Sequence, residues 1–182
     1  MTRPYPEEFD RPAAIGAGMR LRIRPIRPDD QPRLLEMDAR MTPDDRRLRF
    51  FVQTKGISPE LAARFTQIDY DREMALIATP LEHDTLLGVA RYAAEPGMKR
   101  AEFALAVRSD WHHRGLGQLL MTRLIEVAKR RGIAVLYGDV LRENAHMFDL
   151  CRHLGFGIED ETDDPAVLRL SLMLSTPEIP AP

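Results

Sequence analysis

The sequence predicts an α/β domain, a central mixed sheet of about seven strands flanked by four or five helices. Three observations carry that expectation. Residues 101–132 (AEFALAVRSDWHHRGLGQLLMTRLIEVAKRRG) pass from period-two alternation through a glycine-bearing loop into helical periodicity. Residues 133–154 repeat the order, with an apolar, β-branched run (IAVLYGDVL) followed by a helical stripe. Strand-like segments also precede and follow these two units, so some strands must run antiparallel.

Length and composition frame the elements. The 182 residues, 44% hydrophobic and 30% charged, suffice for one domain with a substantial core. A net charge of −2 gives no general attraction to polyanions, so nucleic acid is not expected as a partner. The single Cys151 excludes an internal disulfide and argues against a metal site, and that composition fits a reducing cytoplasm. No apolar run reaches the roughly 18 to 20 residues that span a bilayer, and the first 19 residues lack a signal-peptide core. A cytoplasmic protein with no membrane partner is expected, its oligomeric state left open.

Residues 1–19 hold three prolines before Gly18 and little apolar periodicity. They read either as a flexible tail or as an arm in which Tyr5 and Phe9 pack back on the domain. The domain proper is expected over 20–174, with a Pro-rich, flexible end at 175–182. At 20–27, Leu21, Ile23 and Pro25 alternate with arginines, which suggests an edge or half-exposed strand with a solvated arginine face. Asp29 and Asp30 then cap a helix carrying Leu34, Leu35, Met37 and Met41, and Pro43 opens a second that reaches Phe50. Ser58-Pro59-Glu60 opens a third, with Leu61, Ala62, Phe65 and Ile68 on its apolar face. Arg46, Arg47 and Arg49 form a solvated helix face or a surface for an acidic acceptor. Asp69, Tyr70 and Asp71 make a turn, and strands follow at 73–79 and 86–94 before Pro96-Gly97 turns the chain again.

In the strand from Ala101, Phe103, Leu105 and Val107 share one face, and Glu102, Ala104 and Ala106 the other. Gly115 and Gly117 allow the next loop to turn sharply, and the free N–H groups at the positive end of the following helix suit a phosphate. Two glycines without Gly-Lys-Ser/Thr are neither a dinucleotide fingerprint nor a P-loop, and they also suit an ordinary turn. Beyond the strand at 133–141, Asn144 caps a helix with Met147, Leu150, Cys151 and Leu154 on one stripe. Gly155 ends it, and strands at 156–161 and 167–174 complete the chain.

His112-His113-Arg114-Gly115-Leu116-Gly117 fits the pyrophosphate loop Gln/Arg-x-x-Gly-x-Gly/Ala at every place except the first, where His112 stands. Asn144, Leu150, Gly155 and Phe156 meet a later pattern, Asn-x-x-Ala-x-x-Leu-Tyr-x-x-x-Gly-Phe, with Met147 replacing Ala and Cys151 replacing Tyr. The sequence thereby resembles the GNAT acyltransferase superfamily. YPEEF from Tyr5, RIRPIRPDD from Arg22, RLRFF from Arg47, IDYDREMALIA from Ile68, AEFALAVRSDW and DVLRENAHM from Asp139 look like the GNAT domains of bacterial protein lysine acetyltransferases. In that subfamily the Tyr is commonly absent. The resemblance implies acetyl-CoA as cosubstrate, held by Leu105, Val107, His112, His113, Arg114, Gly115, Leu116, Gly117, Gln118 and Asn144. It implies Glu102 as general base, short helices as the acceptor-side wall, and acyl-CoA synthetases as protein substrates.

The chemistry has its own logic. A lysine ammonium, with a pKa near 10.4, must lose a proton before it attacks a thioester. Glu102 is the lone acid on the strand that leads into the loop, although an exposed residue near a strand end fits it equally. The step from Glu102 to Leu105 covers about 10 Å, bridgeable by a side chain and one water, and partial burial of the carboxylate is expected. Cys151 reads either as a proton donor or acyl carrier, or as a small hydrophobe on its stripe. The expected activity is an acetyl-CoA-dependent protein Nε-lysine acetyltransferase. A small-molecule amine N-acetyltransferase and a non-catalytic acyl-CoA sensor are the alternatives.

Overall fold

Gly16 and Gly18, at φ 54° and 91°, turn the chain between Arg11–Ile15 (β1) and Met19–Pro25 (β2), which pair antiparallel. The computed structural model describes residues 3–174, so the expected flexible end at 175–182 lies outside the described residues. Tyr5, Phe9, Ala13 and Ile15 pack against the core, the arrangement of the arm alternative. Tyr5 donates its hydroxyl to the Pro25 carbonyl at 3.1 Å, sets its ring edge-on to Tyr70 at 5.8 Å, and lies under the Arg27 guanidinium at 4.4 Å. Because β1 takes the sheet edge, β2 is an interior strand.

The arginine face of β2 is not wholly solvated either. Arg24 is 6% exposed and forms two 2.7 Å bonds to Asp30, which also accepts the Arg27 N–H at 2.7 Å. Asp30 thus ties β2 to the next helix and makes no side-chain cap on it. Removing one partner of such a buried pair costs roughly 3–5 kcal/mol.

Three short helices follow, Gln31–Ala39 (α1), Pro43–Phe50 (α2) and Pro59–Thr66 (α3). Proline near the start and a hydroxyl cap begin α2 and α3: Thr42 Oγ1 accepts the Asp45 N–H and Ser58 Oγ the Leu61 N–H, each at 3.1 Å. Arg46 is buried and donates to the Asp38 carbonyl, so the face formed with Arg47 and Arg49 is only partly solvated. Leu61 lies off the buried Ala62–Thr66 side of α3 and is exposed, contrary to its expected place. Asp69 accepts the N–H groups of Asp71, Arg72 and Glu73, the expected turn chemistry.

The remaining elements are Glu73–Pro80 (β3), Gly88–Ala94 (β4), Arg100–Val107 (β5), Leu116–Arg130 (α4), Val135–Leu141 (β6), Ala145–His153 (α5), Gly157–Glu161 (β7) and Val167–Met173 (β8). They complete one eight-stranded mixed sheet, ordered β1-β2-β3-β4-β5-β6-β8-β7, in which β5–β6 is the parallel pair. The eighth strand is β1.

The helices divide between the two faces. Leu105 and Val107 meet the start of α4, and Phe103 packs on Phe156 at 5.1 Å between ring centroids. A Cβ at Gly138 would lie 2.6 Å from the Phe103 ring, so only glycine there lets Phe103 lie across β6. Leu120, Met121 and Leu124 of α4 are fully buried, each contributing about 1.5–3 kcal/mol of transfer free energy. On the opposite face Arg64 of α3 reaches Glu73 at 2.6 Å, and Arg91 lies over the Phe65 ring at 4.4 Å. Among the described residues no helix is long and apolar enough to cross a membrane.

Candidate active site

β5 and β6 are paired only at Arg100–Val135, Ala101–Leu136 and Glu102–Tyr137. Beyond that rung β5 follows β4 to Val107, while β6 follows β8 to Leu141. The β6-facing backbone groups of the outer half of β5 therefore lack a strand partner and, apart from the Val107 carbonyl bonded by His112, are available to a ligand. The wedge opens into a cavity of about 760 Å³, bounded by β5, the loop before α4, α5 and the end of α2.

The loop is built to turn. His113 and Gly115 both take left-handed φ, 58° and 81°, before α4 starts. The N–H groups of Leu116, Gly117 and Gln118 precede the first bond from Leu119 to Gly115 at 3.0 Å, and they sit at the positive end of a 15-residue helix. Gly117 has another duty. A Cβ there would lie 3.3 Å from Leu105 Cδ2 and 3.5 Å from Leu150 Cδ2, so this glycine lets α4 approach β5 and α5 closely.

Nine of the ten residues expected to hold the cofactor line the cavity: Leu105, Val107, His112, His113, Gly115, Leu116, Gly117, Gln118 and Asn144. Arg114 does not. Its guanidinium lies over the Trp111 ring at 4.9 Å, a stacking that turns the side chain away. His112 Nε2 donates to the Val107 carbonyl at 3.0 Å, and Nδ1 stands 4.0 Å from Asp45, which also receives the Ser109 hydroxyl. His112 thus braces the loop against β5 and α2. Asn144 caps α5 by accepting the Met147 N–H at 3.1 Å, and from there it faces the wedge.

His146 was not singled out from the sequence. It completes an imidazole cluster, 4.8 Å from His113 and 6.3 Å from His112 between ring centroids. Desolvation, then His113 and His112, hold its pKa below the ordinary value. The available signal was its place two residues after the helix cap that faces the loop.

Glu102 lies on the cavity wall, on the side of the sheet that carries α1 to α3. It is exposed, which corrects the expected partial burial: its side chain faces the open cavity. Arg49 of α2 shares the wall, with its guanidinium over the Phe50 ring at 4.9 Å. Burial lowers the Arg49 pKa, and the charge of Glu102 works against that shift. Cys151 is 1% exposed and off the wall, and burial pushes its thiol up to about 12. Among the described residues no cluster of His, Cys, Asp and Glu could hold a metal ion.

An elongated thioester with a pyrophosphate at one end fits this geometry: N–H groups at the helix end for the phosphates, unpaired strand backbone for an amide-bearing arm, and a carboxylate at the apex. The known proteins agree. The description of the Acetyltransferase (GNAT) family matches residues 40–156. An acetyltransferase of Pseudomonas aeruginosa is 36% identical over 163 residues, covering 87% of this chain and 88% of its own. The crystal structure of the GNAT domain of S. lividans PAT superposes with a TM-score of 0.87 at 26% identity, covering 94% of this chain and 100% of that one. A putative acetyltransferase of Salmonella typhimurium, solved with its cofactor acetyl-CoA, shares the fold with a TM-score of 0.69 at 17% identity, over 88% of this chain and 98% of that one.

Proposed function

The chain belongs to the GNAT acetyltransferase family, and from that premise we propose that it acetylates the Nε amine of lysine on a protein substrate, with Glu102 as general base. One observation carries the reading: Glu102 stands at the last rung before β5 and β6 separate, at the junction of the phosphate-cradling wedge and the open α1–α3 side. Acetyl-CoA supplies an acetyl group already activated as a thioester.

The residues of the chain do the rest. Leu116, Gly117 and Gln118 offer N–H donors to the pyrophosphate, and the β5 backbone beyond Glu102 offers amide partners to the pantetheine arm. Leu105 and Val107 supply apolar wall. Glu102 accepts a proton from the acceptor ammonium, directly or through one water, so that the neutral nitrogen attacks the thioester carbonyl. A C–N bond forms, the C–S bond breaks, the second proton of the nitrogen passes to the departing thiolate, and Glu102 gives the first to solvent. Cys151, buried as a thiol off the wall, takes no part. Support for a protein acceptor comes from the likeness to the GNAT domain of a protein acetyltransferase over almost the whole chain. The motif resemblance extends the proposal to acyl-CoA synthetases, and to the cytoplasm as the place of reaction.

Mass spectrometry after incubation with acetyl-CoA and candidate synthetases, beside a panel of small amines, tests the reading. Acetyl-lysine on a synthetase at rates well above the small amines supports it. Turnover confined to small amines replaces it with the small-molecule reading, and acetyl-CoA binding with no turnover replaces it with a sensor.

A further inference from the structure

The arginines around the α1–α3 side of the sheet are nearly all matched to a carboxylate. Arg24 has Asp30, Arg46 has Asp38, Arg47 has Asp44 and Glu143, and Arg64 has Glu73. Among the partly buried ones, Arg49 and Arg91 are the exceptions. Neither makes a salt bridge with the described residues, and each rests on an aromatic ring, Phe50 and Phe65. Both are partly buried.

Register puts them beside the proposed base. Arg91 is the cross-strand partner of Ala104, and Glu102 is the next residue of β5 on that face, opposite Ala93. Arg49 shares the cavity wall with Glu102. The charge of Glu102 is felt by Arg49, while Arg91 stands behind Arg49 beside Glu73, a carboxylate already engaged by Arg64. The excess of positive charge is felt: burial and the charge of Arg49, against the opposing charge of Glu73, push Arg91 down to about 10, which leaves it charged at neutral pH. Once the acceptor ammonium is bound the local excess is two positives in a half-desolvated place, and proton transfer to Glu102 relocates that charge without reducing it.

We propose that Arg49, backed by Arg91, is an acceptor-specificity subsite that binds a carboxylate lying close to the attacked amine. On the protein-lysine reading, on which this rests, the carboxylate is an Asp or Glu flanking the target lysine. Such an anion offsets the charge excess, and guanidinium matches a carboxylate with two parallel hydrogen bonds. A basic flank meets repulsion instead, so the same arginines select against it.

The test uses the full chain with acetyl-CoA and peptides that differ only beside one lysine, Asp against Asn and Glu against Gln. The expected result is a kcat/KM about tenfold or more higher for the acidic member, the scale of one partly desolvated charge pair. That preference should fall to near unity in Arg49→Gln, survive in part in Arg49→Lys, and turn toward basic flanks in Arg49→Glu. Calorimetric binding of acetyl-CoA certifies that each variant is folded. Equal wild-type rates on the paired peptides overturn the subsite with no variant needed, and so does a preference that persists in folded Arg49→Gln. If small amines are acetylated and no lysine peptide is, the lysine reading fails by itself. Amino acids compared with their amides then decide the subsite, since a carboxylate preference lost in Arg49→Gln upholds it and indifference overturns it.

Discussion

Glu102 pairs with Tyr137 across the last rung of the parallel β5–β6 ladder, and the two strands part immediately beyond it. The rung is anchored from the β6 side: Tyr137 donates to Glu95 at 2.8 Å, and its ring lies between the guanidinium groups of Arg100 and Arg169, each 4.8 Å from the centroid. The β6 side of the apex is thereby anchored, and the backbone of Glu102 is held at the rung from which its side chain faces the wedge.

Replacing that carboxylate isolates the proton step. Glu102→Gln keeps the shape and removes the proton acceptor, so kcat at pH 7 should fall by about 10² to 10⁴ while acetyl-CoA affinity hardly moves. The deficit should shrink toward pH 10, where more of the amine arrives neutral. Steady-state kinetics across pH together with calorimetry check this. Near-normal kcat at pH 7 assigns the base elsewhere, and lost cofactor affinity makes Glu102 a binding residue.

The two loop glycines should fail differently. Gly115 has open space around its Cβ position but φ of 81°, so Gly115→Ala strains the turn by roughly 1–2 kcal/mol and should weaken acetyl-CoA binding with modest thermal destabilisation. Gly117→Val drives a branched side chain into Leu105 and Leu150, so lower thermal stability should accompany its loss of affinity. Melting curves with and without acetyl-CoA separate the two. Unchanged affinity in folded Gly115→Ala removes the loop from the pyrophosphate site.

These contrasts show where the sequence stopped being legible. The unit from β5 through α4 was readable because the hydrophobic period changes from two to 3.6 at Gly115, and the Thr42 and Ser58 caps were local signals. β1 was missed because RPAAI offers one large apolar residue and a proline, and its strand character comes from pairing with β2. Arg114 sat in the right motif, but spacing does not say which way a side chain turns, and Trp111 decides that. His146 meets the loop, and Arg49 meets Glu102's wall, only through tertiary packing. The exposure of Glu102 followed from the cavity that opens beside β5, which no local pattern encodes.

Cys151 should prove dispensable for turnover. Its thiol, pushed up to about 12 by burial, is neither an available nucleophile nor a ready proton donor to a thiolate in the wedge. Cys151→Ala should retain most of kcat and cost on the order of 1 kcal/mol of stability through lost packing. A hundredfold drop in kcat with intact folding, or an acetyl-Cys151 adduct in intact-mass spectra, would reverse that assignment.

The imidazole cluster gives the last prediction a definite sign. His146 faces His112 and His113 from the loop, with Asp149 on its own helix and Asp45 on α2 as the nearer acids, and its pKa lies below the ordinary value of about 6.5. A depressed pKa means that protonation is disfavoured by folding, so the ligand-free protein should lose stability as pH falls through about 6.5 toward the lower folded value. His146→Asn should flatten that part of the profile. A pyrophosphate at the start of α4 reverses the local field and favours protonated His146, so acetyl-CoA should bind more tightly at pH 6.5 than at pH 8. The window stops there because a phosphate monoester has its own pKa near 6 and sheds charge below it. The change should be severalfold, since His146 is exposed and solvent screens it, and it should be smaller in His146→Asn. Calorimetry across this range provides the measurement. Affinity that is flat or weaker at pH 6.5 would place the phosphates away from the cluster.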